Sequence, residues 1–380
     1  MSTVDTAVRF PHLALTDWPF GPVPTPEGTK FMADRSELRE EIHQLTRVLS
    51  RRQQSSIHLM WAWFGAGKTH TLRYLANKAP NWILPVYTEF PKATKGFRDL
   101  YRQVAAAWDV DALASAYLDV ATAPTQLDSG VVRRRDNLQT ALRLLVGGTD
   151  AQSAVAMSWL EGERIPVSSL RQVGMTRSIQ TVDDAVAVLS GVAQIWGSHS
   201  EMSERQPGRL LWVIDEFQRI GTCSASARSE VSTALHTLLN MTPTNLTLML
   251  SFSGRPSRKL PEWLSPELAD RVGIERVILL PPLRSDEAHV FIREVLGYYR
   301  SAGYTGDPWF PFTEKAVDRL VEMVEKQAEL KPRALMQFAN AVLEEADIEM
   351  ERGKISEIDA RLVEKCLRGR TIETGDEEEE

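Results

Sequence analysis

The stretch WAWFGAGKTHTL, Trp61 to Leu72, restricts the fold more than any other part of this 380-residue chain. It follows the phosphate-binding loop pattern G-x-x-x-x-G-K-[ST] except at one place, where Ala62 stands for the first glycine. The residues before it, SIHLMWA (Ser56 to Ala62), are apolar and partly β-branched or aromatic, which predicts a short buried strand. The residues after it, KTHTLRYLANK, put Leu72, Leu75 and Ala76 at helical spacing, and no proline intervenes before Pro80. Strand, glycine-bearing loop and helix form the context in which this motif holds phosphate.

The chemistry follows from that geometry. Gly65 and Gly67 let the backbone curl so that its N–H groups point inward at phosphate oxygens. The helix N-terminus adds a favourable partial charge. Lys68 reaches the β- and γ-phosphates, and Thr69 offers its hydroxyl to Mg²⁺. The run Gly65, Ala66, Gly67, Lys68, Thr69 and His70 is therefore the candidate nucleotide cradle, with ATP and Mg²⁺ as ligands. Ala62 lies at the strand exit, where the phosphates are not touched, so its exchange for glycine is tolerated.

A nucleotide site also needs a carboxylate on the metal side, and RLLWVIDEFQRI supplies one. Leu210 to Ile214 form an unbroken apolar run, as in a central parallel strand. Asp215 and Glu216 follow at its C-terminal end, the edge where α/β sheets bind ligands. Asp215 is the candidate for the Mg²⁺ shell and Glu216 the candidate general base for the attacking water. Glu216 points to hydrolysis as well as binding. A further strand, Leu246 to Phe252, carries Ser251 and Ser253 near its exit, and Ser253 is the candidate that orients the lytic water. A helix ending at Arg271 and a fourth apolar strand, Val277 to Leu280, come next, and Pro281 and Pro282 then break the chain.

Composition narrows the class. The formal net charge is −7, and the five acids of the tail Asp376 to Glu380 supply most of it. The rest of the chain is nearly neutral, which argues against bulk attraction to nucleic acid. Arg133, Arg134 and Arg135, and again Arg255, Arg258 and Lys259, form short basic runs without the interleaved aromatics of a base-stacking platform. No apolar run suggests a membrane span, and the N-terminus does not read as a secretory signal. The two cysteines, Cys223 and Cys366, are far apart and near no histidine cluster, which fits reduced thiols in the cytoplasm.

The order of these motifs resembles the AAA+ ATPases, over most of the chain. The pieces that carry the resemblance are FGAGKT, WVIDEF, the serine-bearing strand, Arg271 before the last strand, and LKPRALMQFANAV. They are most similar to the replication-initiator and origin-recognition clade and to related STAND-type switches. The resemblance implies an α/β P-loop fold with a central parallel sheet and a C-terminal all-α lid. It implies that Arg333 touches the γ-phosphate from the lid of the same subunit, and that Arg271 is the arginine finger reaching a neighbour's nucleotide. Arg276, which opens a strand, is the weaker candidate for the finger. MADRSELREEI (Met32 to Ile42) is similar to the segment flanking the adenine pocket, with Arg35 in its arginine position.

Two departures shape the expectation. The separation of Lys68 from Asp215 is far longer than the core needs, and an insertion from about 109 to 181 reads as helical in NLQTALRLLVGG and AQSAVAMSWLEGE. The stretch MSWLEGERIPVSSLRQVGMTRSI reads as turn and loop, with wording similar to ATPases of bacterial phage-defence systems of the BREX type. At the other end, residues from 284 onward read as a helical lid running to 370, followed by a disordered acidic tail over 371–380, with no room for the winged helix of the initiators. The expected organisation is thus a nucleotide-binding core over 1–283, the lid, and the tail. The expected function is an oligomeric switch or remodelling ATPase acting on a partner effector protein in a DNA-transaction, phage-defence or mobile-element system. DNA contact, if made, is not sequence-specific. A monomeric STAND-like signalling switch and a filament-forming target-selection ATPase of a transposon are the alternatives.

Overall fold

The structure, a computed structural model, describes residues 8–21, 31–33, 36–122, 132–199, 207–255, 260–261, 264–272 and 277–370, with the backbone alone over 132–136. Helix α1 (Ser36–Arg51) leads into β1 (Ser56–Ala62), and α2 (Lys68–Asn77) into β2 (Ile83–Glu89). A run of helices follows: α3 (Phe97–Ala106), α4 (Val110–Thr122), α5 (Val132–Gly147), α6 (Asp150–Leu160), α7 (Val167–Gln172) and α8 (Val182–Gly197). Then come β3 (Arg209–Asp215), α9 (Ala225–Met241), β4 (Leu246–Ser253), α10 (Pro266–Val272) and β5 (Val277–Leu279). Helices α11 (Ser285–Tyr298), α12 (Glu314–Glu325), α13 (Pro332–Glu351) and α14 (Ala360–Leu367) complete the order. The chain divides into two compact units, one of Ile42–Trp61 and Leu75–Leu279, the other of Met1–Glu41, Ala62–Tyr74 and Leu280–Glu380.

The first unit is built on a five-stranded sheet in the order β2-β3-β4-β1-β5. The pairs β1–β5, β2–β3 and β3–β4 run parallel. So does β1–β4: Ser56 Oγ meets Thr247 Oγ1 at 3.2 Å where both strands begin, and the Trp61 and Phe252 rings meet edge to face near where both end. Parallel strands covered on both faces must be apolar throughout, and β1 and β3 are buried at every residue. The winding reverses at β1. The chain leaves β1 for the far edge at β2, then returns through β3 and β4 and passes β1 to reach β5. In open α/β sheets, the C-terminal end of the strands beside such a reversal is where ligands bind.

The stretch from 110 to 172 holds the four helices α4 to α7. Helices α4 and α5 pack on each other and on α8, and α6 packs on α5. Each of two entries into helix is fixed by a reciprocal cap, Thr149 with Gln152 at α6 and Thr181 with Asp184 at α8. The stretch read as turn and loop departs from expectation: it holds the last turn of α6 and the whole of α7. Helix α7 has six residues and buries only Leu170, too little for a helical period to stand out.

The second unit has its own core, made by α11 to α14 and by an N-terminal strap. Along α12 the buried residues Ala316, Val317, Leu320, Val321 and Val324 recur at helical spacing, and Thr313 caps its start by accepting from Ala316 N at 3.2 Å. The strap supplies Leu13, Leu15 and Phe20, all fully buried among the helices. His12 meets Asp347 at 2.6 Å, and Trp18 Nε1 donates to Asn340 Oδ1 at 2.6 Å, so α13 holds the strap at two points. No periodicity within those few residues marks them as part of a helical core.

Candidate nucleotide site

The loop half of the candidate site lies in the second unit. Gly65 (φ 77) and Gly67 (φ 94) take left-handed backbone conformations open to glycine at little cost. Ala62 is not among the positive-φ residues, which is why glycine can be absent there. Lys68 is 5% exposed, and its Nζ donates to Ala62 O at 3.1 Å and Trp63 O at 3.0 Å. The ammonium is thus folded over the curl of its own loop. Thr69 sits in the first turn of α2, where backbone N–H groups have no intrahelical acceptor. Ala66 is buried, and its N–H closes the loop on Trp63 O at 3.3 Å.

The start of α13 lies against this loop. Arg333 N donates to Gly65 O at 3.3 Å, and a Cβ at Gly65 would come within 3.1 Å of Arg333 Cβ. Lys331 Nζ stands 5.3 Å from the centre of the Trp63 ring. Arg333 is therefore beside the glycine turn, and Lys331, which carries no motif signal, stands near Trp63. His70 faces elsewhere: its Nε2 meets Phe31 O at 2.6 Å, and burial lowers its pKa, with the Phe31 carbonyl opposing and Arg73 adding to the drop. Its ring ties α2 to the segment before α1.

The acid half lies in the sheet unit, where β3 ends. Asp215 is fully buried, and its two oxygens are claimed by different donors. Oδ1 accepts from Ser251 Oγ and from Glu216 N at 2.9 Å, and Oδ2 accepts from Tyr87 OH at 2.8 Å. Glu216 takes a left-handed conformation (φ 57, ψ 33), uncommon for a residue with a side chain, which turns it out of the strand. Its carboxylate meets Gln218 Nε2 at 3.0 Å, Ser253 Oγ at 3.4 Å and Arg219 at 3.4 Å. Arg219 also donates to Phe90 O at 2.8 Å. The two serines of β4 thus divide the acids: Ser251 holds Asp215 and Ser253 stands at Glu216. Both serines are readable in the sequence; Tyr87 reaches Asp215 only through the pairing of β2 with β3, whereas Gln218 and Arg219 are sequence neighbours of Glu216 whose polar side chains carry no motif signal.

The remaining candidates are scattered. Arg271, in the last turn of α10, is exposed and bonded to Asn240 Oδ1 on α9. Arg35, Arg276, Arg258, Lys259 and the acidic tail lie outside the described residues, as do the side chains of Arg133, Arg134 and Arg135. Burial pushes the thiols of Cys223 and Cys366 up. Among the described residues no cluster of three His, Cys, Asp or Glu side chains exists to hold a metal. Mg²⁺ is commonly held by one or two protein oxygens together with substrate phosphates, and the buried carboxylate of Asp215 is an oxygen donor of that kind. Among the described residues no helix is long and apolar enough to cross a membrane.

Comparison of the whole chain with solved structures gives the fold. The ORC2 protein of Aeropyrum pernix, solved in ADPNP and ADP complexes, matches with a TM-score of 0.51 at 13% identity, over 90% of this chain and 70% of that one. This is the AAA+ fold. The Walker-type ATPase of Pyrococcus abyssi matches at 12% identity over 89% of this chain and 75% of that one, with a TM-score of 0.48. The A. pernix ORC1 protein, solved in complex with DNA, matches at 14% identity over 90% of this chain and 66% of that one, with a TM-score of 0.47. No protein-family model and no curated protein matches the chain.

Proposed function

We propose that this chain is an ATPase that binds ATP with Mg²⁺ using the residues of the glycine loop and of the acid pair, hydrolyses it slowly, and uses the cycle to switch its assembly and its hold on a partner protein. The observation that carries the reading is the treatment of two neighbouring carboxylates. Asp215 is buried and held by three donors, whereas Glu216 is turned out of the strand with its carboxylate among polar side chains. Different environments give adjacent acids different roles. Asp215 with Thr69 holds the metal, and Glu216 takes the proton of the attacking water. Lys68 and Arg333 offset the phosphoryl charge, and Ser253 orients Glu216 and the water. Bound Mg²⁺ neutralises charge on the phosphate oxygens.

Steady-state ATP turnover tests this. Lys68→Ala and Glu216→Gln are each expected to lose at least about 100-fold; unchanged turnover in both overturns the assignment. In the oligomeric reading, Arg271 completes a neighbour's site, and the system served is a DNA transaction, phage defence or a mobile element, with any DNA contact directed at the backbone. Arg271→Ala then stops hydrolysis in mixed oligomers while ATP binding stays intact. One observation favours the rival, a monomeric signalling switch: Arg271 is already engaged by Asn240 of its own chain. Solution mass with a slowly hydrolysed ATP analogue and Mg²⁺, with and without duplex DNA, separates the two. A nucleotide-dependent oligomer supports the trans arginine, growth only on DNA supports a filament, and a monomer throughout supports the switch.

A further inference from the structure

Gln218 stands two residues past Glu216, in the 3₁₀ turn Phe217–Thr222. Its side-chain amide is used at both ends. Gln218 Oε1 accepts from Ser253 N at 3.0 Å, and Gln218 Nε2 donates to Glu216 Oε2 at 3.0 Å. A backbone N–H can only donate, so the Ser253 amide fixes the orientation of the Gln218 head group: its oxygen faces β4 and its NH₂ faces the carboxylate. Ser253 Oγ, 3.4 Å from Glu216 Oε1, closes a ring of three residues around the acid. Phe217 and Phe252, the buried chain neighbours of Gln218 and Ser253, stack with ring centres 6.0 Å apart and pack the turn against the end of β4.

We infer that Gln218 is the positioning residue for Glu216, fixing the carboxylate to the end of β4. The inference rests on the reading of Glu216 as the general base. An acid on a left-handed turn has several rotamers open to it, and a base placed without restraint loses most of its effect. The amide restrains Oε2, the hydroxyl restrains Oε1, and both restraints are anchored on the same residue of β4. Movement of the β4 end thereby moves the base, which gives the chain a way to pass nucleotide contacts at Ser253 on to Glu216. Arg219 holds the carboxylate from a third direction, but at 3.4 Å it acts through charge, while the amide acts through direction.

Three variants test it by turnover and by binding of a slowly hydrolysed ATP analogue. Gln218→Met keeps the bulk and removes both hydrogen bonds; it is expected to lower kcat about 10- to 100-fold with KM, analogue affinity and melting temperature close to wild type. Gln218→Glu keeps the shape but turns a second carboxylate toward Glu216, and is expected to fall below Gln218→Met. Ser253→Ala, which keeps the backbone N–H, is expected to lose less than either. A purely space-filling glutamine predicts the reverse order for the first two, with the isosteric Gln218→Glu the milder. Wild-type kcat in Gln218→Met, a loss confined to KM, or that reversed order overturns the inference. Failure of the ATPase reading itself looks different: the wild type does not turn over ATP, or Glu216→Gln matches it.

Discussion

Strand β3 begins and ends in a buried charge. Arg209 opens it at 2% exposure and Asp215 closes it at 0%. The guanidinium of Arg209 donates to Gln54 O and Leu246 O at 3.2 Å, to Thr247 Oγ1 at 3.0 Å and to Arg52 O. Among these partners is no carboxylate, and burial brings its pKa down to about 10, so it is still charged at neutral pH. It ties the openings of β1, β3 and β4 together through three main-chain oxygens and one hydroxyl. Asp215 is satisfied just as fully, yet by hydroxyls and one N–H at the edge where the winding reverses, next to a second acid in a strained conformation. Burial of charge therefore does not mark a function. Position on the sheet and the state of the neighbouring residue do.

The largest expected effects separate the two ends by what is measured. At the C-terminal end, Glu216→Gln changes one proton acceptor, and turnover is expected to fall by about 10²–10⁴ with the denaturant midpoint unmoved. At the other end, Arg209→Met takes the donor from the buried Leu246 O and Thr247 Oγ1 and from the partly buried carbonyls of Arg52 and Gln54. A loss of roughly 2–4 kcal/mol in unfolding free energy is expected, read as a lower urea midpoint, while ATP turnover per folded molecule stays within about twofold, a change worth a few tenths of a kcal/mol in barrier. A rate loss in Arg209→Met as large as its loss of stability would break the separation.

A smaller effect lies between them. Tyr87→Phe removes one donor from Asp215 Oδ2 and keeps the ring. A loss of about tenfold in turnover at limiting Mg²⁺ is expected, recovered as Mg²⁺ is raised, because the carboxylate is less well held for the metal. A loss that Mg²⁺ does not rescue would mean that Tyr87 serves the fold of β2 and not the acid.

The same strand shows what is legible in sequence. An apolar run ending in two acids can be read, because burial on both faces requires it and the acids break it. The glycine loop can be read for the same kind of reason: φ values of 77 and 94 admit few residues other than glycine. Arg209 cannot be read. In sequence it is one more arginine before a strand, and its role exists only once β1 and β4 lie beside β3. Tyr87 is hidden in the same way, since it reaches Asp215 only because β2 pairs with β3, and although Gln218 is close to Glu216 in sequence, its anchor on Ser253 exists only once β4 lies beside β3. Helix α7 and the N-terminal strap escape because six residues, or a few isolated apolar ones, carry no period.

Asp184 sharpens the contrast with the smallest effect. It is a third buried charge, and its shell looks like that of Asp215: Thr181 N at 3.0 Å, Gln180 N at 3.3 Å and Arg177 at 2.6 Å. Burial works to raise its pKa, but the bonds with Thr181, the Arg177 charge and the Gln180 N–H outweigh it, and the net shift is downward. Yet Asp184 is the third residue of α8, its neighbouring acid Asp183 is exposed on the same helical turn and not turned out of a strand end, and its donors are those of a helix start. Its folded carboxylate binds a proton less tightly than the unfolded one. The stability it lends is present above the ordinary carboxylate range and is lost as pH falls through its own, lower pKa. Asp184→Asn is expected to cost about 1 kcal/mol at pH 7 and to flatten the fall of the urea midpoint below about pH 4, with ATP turnover unchanged. Were turnover to drop instead, a donor shell alone would be enough to make a carboxylate functional here, and the sheet edge would lose its standing as the criterion.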